Sequence, residues 1–309
     1  MISSTSYAYF KGSIVPLHEA NINITTHAFN YGTGVFEGIR AYWNDTEQEL
    51  YILKGLEHFE RLIQSCKILK IQLKETAEEM MGITKEILRK SEYRQDVYIR
   101  PIAYKTDSQI RIRLSGINSD LCMFTLPSGS VDQDNSLHLG TSIWRKVGDN
   151  AIPPRAKTTG SYINAALATD DAIQSGYDDG VMLTSDGHVA EGTSSNLFMV
   201  RGNTLITSPV SDGILEGITR QAIMELAKDA GLKVETRTID RSELYVASEI
   251  FLCGTGVQIS PVYMVDHRKV GSGMVGEITL KIKEMYFDAV RGKNRSYQSW
   301  LTPVYRDRK

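Results

Sequence analysis

The segment IPPRAKTTGSYINAALATD, residues 152–170, sets one lysine where an amine could react. Lys157 follows Pro153 and Pro154 and precedes the small-residue run Thr158, Thr159, Gly160, Ser161. Proline before it and close-packing glycine after it favour a fixed position over random solvent exposure. An amine presented into a cleft loses its proton through desolvation and nearby positive charge, starting from a pKa of about 10.4. It then forms a Schiff base with a carbonyl. Thirty-four residues on, Glu191 stands in AEGTSSN, a carboxylate among small residues at the end of an expected strand. DVYIRPIAYK, residues 96–105, puts Tyr98 and Arg100 on one face at period two, a pair suited to a carboxylate. Gly217, Ile218 and Thr219 open a helix, and a helix start with open amides and a hydroxyl is a ready anion site. Alone, each feature has an ordinary reading as well: a loop lysine, a polar strand face, a plain helix start.

The elements that must position these groups follow from periodicity. Tyr7–Phe10 and Ile14–Pro16 read as a hairpin around Lys11 and Gly12. NITTHAFNYGTGVFEGIRAYW then gives a short helical turn capped by Thr25 or Thr26 and one strand over Val35–Trp43. Gly32, Gly34 and Gly38 allow close backbone approach there. After a strand at Leu50–Leu53, Gly55–Lys70 is a helix with the apolar stripe Leu56, Phe59, Leu62, Ile63, Cys66, Leu69, and Arg61 lies beside it. Thr76–Lys90 is a second helix, 106–119 a loop, and Leu121–Leu126 a strand. PSGSVDQDN, residues 127–135, has linker composition, which divides the chain into 1–126, an interdomain loop at 127–135, and 136–309.

Beyond the linker, a strand at Leu137–Trp144 precedes the lysine segment. Tyr162–Gln174 is a helix with Tyr162, Ala165, Ala166, Thr169, Ala172 and Ile173 at helical spacing. Two hairpins carry Glu191. Gly217–Ala230 is a helix with Ile218, Ala222, Ile223, Leu226 and Ala227 on one face, stopped by Gly231. Strands at Glu249–Cys253 and Val257–Val265 flank the turn Gly254-Thr255-Gly256, and Glu277–Val290 is a last helix. The tail after Gly292 is expected to be loosely attached, with Trp300 and Tyr305 as docking points. The fold class is α+β in two domains.

Composition excludes several functions. Of 309 residues, 41% are hydrophobic and 23% charged, with a net charge of −2 and no clustered basic run to favour nucleic acid or an anionic membrane. Three cysteines without a CxxC pair fit a reducing cytoplasm. The six histidines lack HxxxH or HExxH spacing, so no metal site is expected. No apolar run approaches the ~20 residues of a membrane span, and the N-terminus lacks a signal-peptide pattern.

Taken in order, FNYGTGVFEGIR, HFERL, YIRP, RAKTTGSY, EGTSSNLF, LEGITR and CGTG resemble the fold-type-IV aminotransferases that use pyridoxal phosphate (PLP), and among them the branched-chain amino acid aminotransferases. The resemblance runs from about Tyr9 to about Asp288. It implies a small α/β N-terminal domain and a larger β-barrel-like C-terminal domain. By it, Lys157 is the Schiff-base lysine and proton carrier, Glu191 the partner of the pyridine nitrogen, and Tyr162 that of the phenolic oxygen. Arg61, Gly217, Ile218, Thr219 and Thr255 match phosphate positions. Tyr98, Thr255 and Gly256 match the α-carboxylate side, Arg100 the receiver of glutamate's distal carboxylate, and Tyr31, Phe36 and Gly38 the pocket walls. The implied reaction is transfer from Leu, Ile or Val to 2-oxoglutarate, in a homodimer or multiple of dimers. Two loops depart from the family: TDSQIRIRLSGIN carries Arg111 and Arg113, and PSGSV has Ser128 and Val131 where aromatics are common. A D-amino acid or (R)-amine aminotransferase, or an aminodeoxychorismate lyase, are the alternatives within the fold. A non-catalytic scaffold is the alternative outside enzymes, and the set Lys157, Glu191, Arg61 and Tyr162 argues against it.

Overall fold

The structure is a computed structural model that describes residues 6–129 and 136–306. Most of the expected interdomain loop at 127–135 therefore lies outside the described residues. The chain forms two compact units. One comprises Met1–Ser130, Ala156–Gly160 and Asp288–Lys309, and the other Val131–Arg155 and Ser161–Phe287.

The first unit is built on an eight-stranded sheet. Its strands are β1 (Tyr7–Phe10), β2 (Ser13–Pro16), β3 (Gly34–Phe36), β4 (Ile39–Asn44), β5 (Glu49–Leu53), β6 (Val97–Lys105), β7 (Ser119–Pro127) and a C-terminal strand, Leu301–Pro303. The order runs C-terminal strand, β5, β4, β6, β7, β1, β2, and β3 pairs with β6 off that path. The β1–β2 turn uses Lys11 and Gly12, both at positive φ, as a hairpin of this length requires. The five-residue helix α1 (His27–Tyr31) follows Thr26, whose side chain makes no capping bond.

Helix α2 (Gly55–Ile68) buries Phe59, Leu62 and Cys66, and α3 (Ala77–Lys90) buries Met80, Ile87 and Leu88. These side chains form one core with Ile39, Ala41, Leu50, Ile52, Val97 and Ile99 of the sheet. A capping box between Thr76 and Glu79 starts α3. The strand expected over 35–43 is in fact two. It is interrupted at Glu37 and Gly38, opposite Pro101 of β6: Glu37 N–H donates to the Pro101 carbonyl at 3.0 Å, but proline has no N–H to return.

The tail is not loose. Leu301–Pro303 pairs antiparallel with β5, and Trp300 is buried against Tyr297. The buried Glu49 carboxylate accepts the backbone N–H groups of Val304, Tyr305 and Arg306. A carboxylate with three amide donors fixes a chain end better than the sparse apolar pattern of the tail suggested.

The second unit carries a nine-stranded sheet: β8 (Leu137–Arg145), β9 (Asp179–Leu183), β10 (Val189–Gly192), β11 (Asn196–Arg201), β12 (Thr204–Thr207), β13 (Lys233–Thr236), β14 (Glu249–Gly254), β15 (Gln258–Val265) and β16 (Arg268–Lys269). The order is β10-β9-β8-β15-β14-β11-β12-β13, with β16 on β15. β8 and β9 are parallel, and α4 (Tyr162–Gln174) lies between them in the chain. β12 and β13 are parallel, joined through α5 (Ile218–Asp229). Parallel neighbours require such crossovers. The short, polar β13 gave no strand pattern and exists because α5 returns the chain to the sheet edge.

The apolar face expected on α5 is the buried one. That on α4 is displaced: Ala168 and Ala172 are buried, against Gly180 of β9, while Ala166 and Ile173 face outward. Two alanines allow the helix to lie close to the sheet, which larger side chains would prevent. Helix α6 (Glu277–Val290) begins on Glu49's counterpart in this unit, Glu249, which accepts Ile278 N–H, Thr279 N–H and the Thr279 hydroxyl.

The tail therefore contributes to the first unit's stability. Trp300→Ala should cost about 3–5 kcal/mol, the range for emptying a buried aromatic site. Thermal unfolding would show it, and an unchanged Tm would contradict the docking.

Candidate active site

In the first unit, Lys157 is held by its own backbone. Phe36 N–H donates to the Lys157 carbonyl at 3.0 Å, and Thr159 N–H to the Gly34 carbonyl at 2.9 Å. The Lys157 N–H donates to Ser65 Oγ on α2 at 3.3 Å. The segment thus lies along β3, with an isolated bridge between Val35 and Thr158. This pairing places Lys157 Nζ 5.0 Å from the centroid of the Phe36 ring.

The Arg100 guanidinium meets the same ring at 4.4 Å. Its terminal nitrogen donates to the Tyr98 hydroxyl at 2.6 Å, as the period-two spacing on β6 implied. A Cβ on Gly38 would run into that hydroxyl, so glycine is required where Tyr98 crosses. Lys157, Phe36, Gly38, Tyr98 and Arg100 are thereby brought together. Among the described residues, Arg100 has no acidic partner, and its buried Nε has no acceptor. Tyr31 stands at the end of α1 with its ring 4.7 Å from that of His27, which bonds Thr33 Oγ1 and the Arg111 carbonyl.

Arg61 is not a solvated helix arginine. Its Nε and one terminal nitrogen both donate to the Glu37 carboxylate at 2.7 Å, a bidentate pair. His58, one turn earlier on α2, contacts the same carboxylate at 2.8 Å. Glu37 is wholly buried. Burial opposes its ionisation, but the Arg61 charge and the His58 bond outweigh it and hold the carboxyl at about 2. Burial pushes the His58 imidazole below its ordinary value, against the pull of Glu37. Sequence reading quoted FEGIR and HFERL but gave Glu37 and His58 no role. An acid between Phe and Gly in an apolar strand was the available signal.

In the second unit, Glu191 is the penultimate residue of β10 and is almost fully buried. Lys146 Nζ donates to its Oε1 at 2.6 Å. Asn196 Nδ2 and the Leu215 N–H donate to its Oε2 at 2.9 and 3.2 Å. Asn196 also bonds the Leu215 carbonyl, and its Oδ1 leaves no room for a Cβ on Gly217. So Asn196 ties Glu191 to the start of α5, where Gly217, Ile218 and Thr219 lie. Gly217 caps α5 without a side chain, leaving the first-turn amides with no acceptor inside the helix. Gly254, just before Thr255 and Gly256, lies against Ser194 and Ser195 of the Glu191 loop. Tyr162 is the first residue of α4 and half-buried. Lys146 and Asn196 escaped the sequence reading, because nothing in a lone Lys or Asn marks a partner.

Each set, taken by itself, suits one part of a phosphorylated pyridine aldehyde. The first unit holds an amine and an oriented guanidinium. The second holds open helix amides and a carboxylate with room for one more donor, since each oxygen accepts two. The buried Ser195 hydroxyl beside it also lacks a partner among the described residues.

The family model described as "Amino-transferase class IV" matches residues 34–265. The chain is 48% identical to a probable branched-chain-amino-acid aminotransferase of Aquifex aeolicus, over 98% of each chain. It is 34% identical to the branched-chain-amino-acid aminotransferase of Salmonella typhimurium, over 96% of this chain and 97% of that one. Among solved structures, it is similar to the branched-chain aminotransferase of Thermoproteus uzoniensis with norvaline: TM-score 0.93, 39% identity, 97% of this chain and 99% of that one. The PLP form of the branched-chain amino acid aminotransferase of Thermobaculum terrenum gives TM-score 0.94 at 37% identity, over 98% and 99%.

Glu37→Gln should leave the mostly buried Arg61 guanidinium uncompensated and cost about 3–5 kcal/mol at neutral pH. A carboxyl held at about 2 when folded contributes stability that is full above its ordinary value near 4.5 and is lost as pH falls towards 2. Urea unfolding from pH 7 to pH 3 should therefore show the gap between parent and variant constant above about pH 5 and narrowing below it. A gap independent of pH would contradict the ion-pair account.

Proposed function

The chain belongs to the class IV amino-transferase family, and from that premise we infer that it is a PLP-dependent aminotransferase of branched-chain amino acids. It moves the amino group of Leu, Ile or Val to 2-oxoglutarate, giving the 2-oxo acid and L-glutamate. One observation carries the reading: a lysine amine on a fixed backbone and an arginine that has no acidic partner among the described residues meet the same Phe36 ring. Amino acid transamination needs both, one to move protons and one to receive a carboxylate.

When bound, PLP supplies the electron sink that stabilises negative charge at the substrate Cα. The residues' roles are assigned as follows. Lys157 would hold the cofactor at its aldehyde carbon, and its amine would move the proton at the substrate Cα. Glu191 holds the ring nitrogen protonated, and Tyr162 donates to the phenolic oxygen. Arg61, Gly217, the amides of Ile218 and Thr219, and Thr255 take the phosphate. Arg61 arrives with its plane already set by Glu37, so little orientational freedom is lost on binding. Tyr98, Thr255 and Gly256 take the α-carboxylate, Arg100 the distal carboxylate of glutamate, and Tyr31, Phe36 and Gly38 line the side-chain pocket. A linker at 127–135 between a small domain and a larger cofactor-binding domain belongs to the same proposal.

The protein is further proposed to work in the cytoplasm as a homodimer or a multiple of dimers. Exposed Ile163, Leu167 and Ile173 along α4, with Ile143 on β8, support self-association. No helix among the described residues is long and apolar enough to cross a membrane, and its three cysteines are unpaired. Light scattering on the purified protein reads the oligomer directly.

A donor panel tests the substrate class. With 2-oxoglutarate as acceptor, L-leucine should far exceed D-alanine and (R)-1-phenylethylamine, and reversal of that order would favour the (R)-amine reading. Aminodeoxychorismate should release no pyruvate. Lys157→Ala should lose at least about a thousandfold in kcat and escape labelling by borohydride reduction of the loaded enzyme. Arg100→Met should lower kcat/KM for glutamate by about a hundredfold while changing leucine only a few-fold. Equal losses for both would remove Arg100 from the role of distal carboxylate receiver.

A further inference from the structure

Glu191 has more company than its proposed role requires. Lys146 follows β8 directly, and its N–H donates to the Leu183 carbonyl at 2.9 Å, so its Cα is fixed by the sheet. Its ammonium reaches Glu191 Oε1 at 2.6 Å, with the two side chains 21% and 7% exposed. The other oxygen, Oε2, already accepts two neutral donors, Asn196 Nδ2 and the Leu215 N–H. A carboxylate oxygen accepts about two hydrogen bonds. Among the described residues, Oε2 is full and Oε1 has one acceptor position left, beside a cation. A ring N–H that pairs with Glu191 must therefore use the oxygen that Lys146 holds.

We propose that Lys146 is a positioning residue that holds and aims the Glu191 carboxylate, and that competes with the cofactor's ring nitrogen for Glu191 Oε1. The inference rests on the PLP reading above. Its physical basis is that a nearly buried carboxylate without a charged partner is costly. Lys146 removes that cost before the cofactor arrives. Two cations at one carboxylate oxygen then repel, so Lys146 weakens the grip on the protonated ring. Asn196 and Leu215 keep the carboxylate in place when Lys146 yields. Cofactor affinity is thereby traded against stability of the cofactor-stripped chain.

The test compares the parent, Lys146→Met, Lys146→Gln and Lys146→Arg, each stripped of PLP and reloaded. Met keeps the length of the stem, Gln keeps a donor without charge, and Arg keeps the charge. Stripped K146M and K146Q should melt below the stripped parent. On loading they should gain more in Tm than the parent does, and their Kd for PLP should fall about tenfold, equivalent to about 1.4 kcal/mol. K146R should behave as the parent. If both neutral variants bind PLP no more tightly than the parent, or melt lower by the same amount stripped and loaded, Lys146 is only a structural ion pair and the proposal fails. A parent that binds no PLP overturns the cofactor reading and this inference with it, so the two failures are distinguishable. If K146M does not fold, K146Q decides alone.

Discussion

The first unit depends on keeping one carboxylate charged inside its core. Glu37 is wholly buried, and an ion there persists only if partners replace the water it lost. Arg61 and His58 do so from one face of α2, spaced three residues apart so that both point the same way. Glu37 sits at the break between β3 and β4, opposite Pro101 of β6, which has no N–H to give the ladder. The break then sets its neighbours. Phe36 ends β3 with its backbone N–H on the Lys157 carbonyl and its ring near the lysine amine. Gly38 opens the space that the Tyr98 hydroxyl occupies. Three consecutive residues, 36 to 38, thus orient an amine, an arginine and a tyrosine.

The second unit meets the same constraint differently. Glu191 has one charged donor and two neutral ones, where Glu37 has a bidentate guanidinium and an imidazole. A bidentate pair uses the whole fork and resists exchange. A single ammonium on one oxygen is a point contact on a flexible stem, and such a contact can be given up. Glu37 is accordingly suited to be permanent and Glu191 to be shared. The small residues that follow it, Gly192, Thr193, Ser194 and Ser195, keep side-chain bulk away from Glu191.

Much of this was legible in the sequence, for reasons that particular residues show. Helix α5 was readable because its buried face is large and regular, and Tyr98 with Arg100 because period two is rigid in a strand. The tail was misread because Glu49, which fixes it through three amides, lies about 250 residues away and shares no local pattern with it. Strand β13 was missed because the crossover through α5, not its own composition, makes it a strand. The helix α4 face was misassigned because alanine against Gly180 carries little hydrophobic signal although it permits the closest packing. Lys157 and Glu191 were singled out through the spacing between motifs. Their partners Ser65, Lys146 and Asn196 were not, since a hydrogen-bond partner is chosen by the fold and its type alone does not announce it.

On the proposed assignment, the environment of Arg100 explains how one pocket serves two unlike side chains. Among the described residues, the guanidinium has a buried Nε without an acceptor and a tyrosine hydroxyl as its hydrogen-bond partner, so it is incompletely compensated. It is stabilised in part by the Phe36 and Tyr98 rings, at 4.4 and 5.1 Å from its carbon, contacts worth about 0.5–2 kcal/mol each depending on desolvation. That is enough to hold the charge when an apolar side chain is the guest, and too little to match a carboxylate when glutamate is. An acid in place of Tyr98 would satisfy Arg100 permanently and exclude the second substrate. A purely apolar wall in place of Arg100 would suit leucine and leave the glutamate carboxylate unpaired. On the proposed assignment, alternation between the two substrates therefore depends on Arg100 being stabilised by rings and not by a counter-ion.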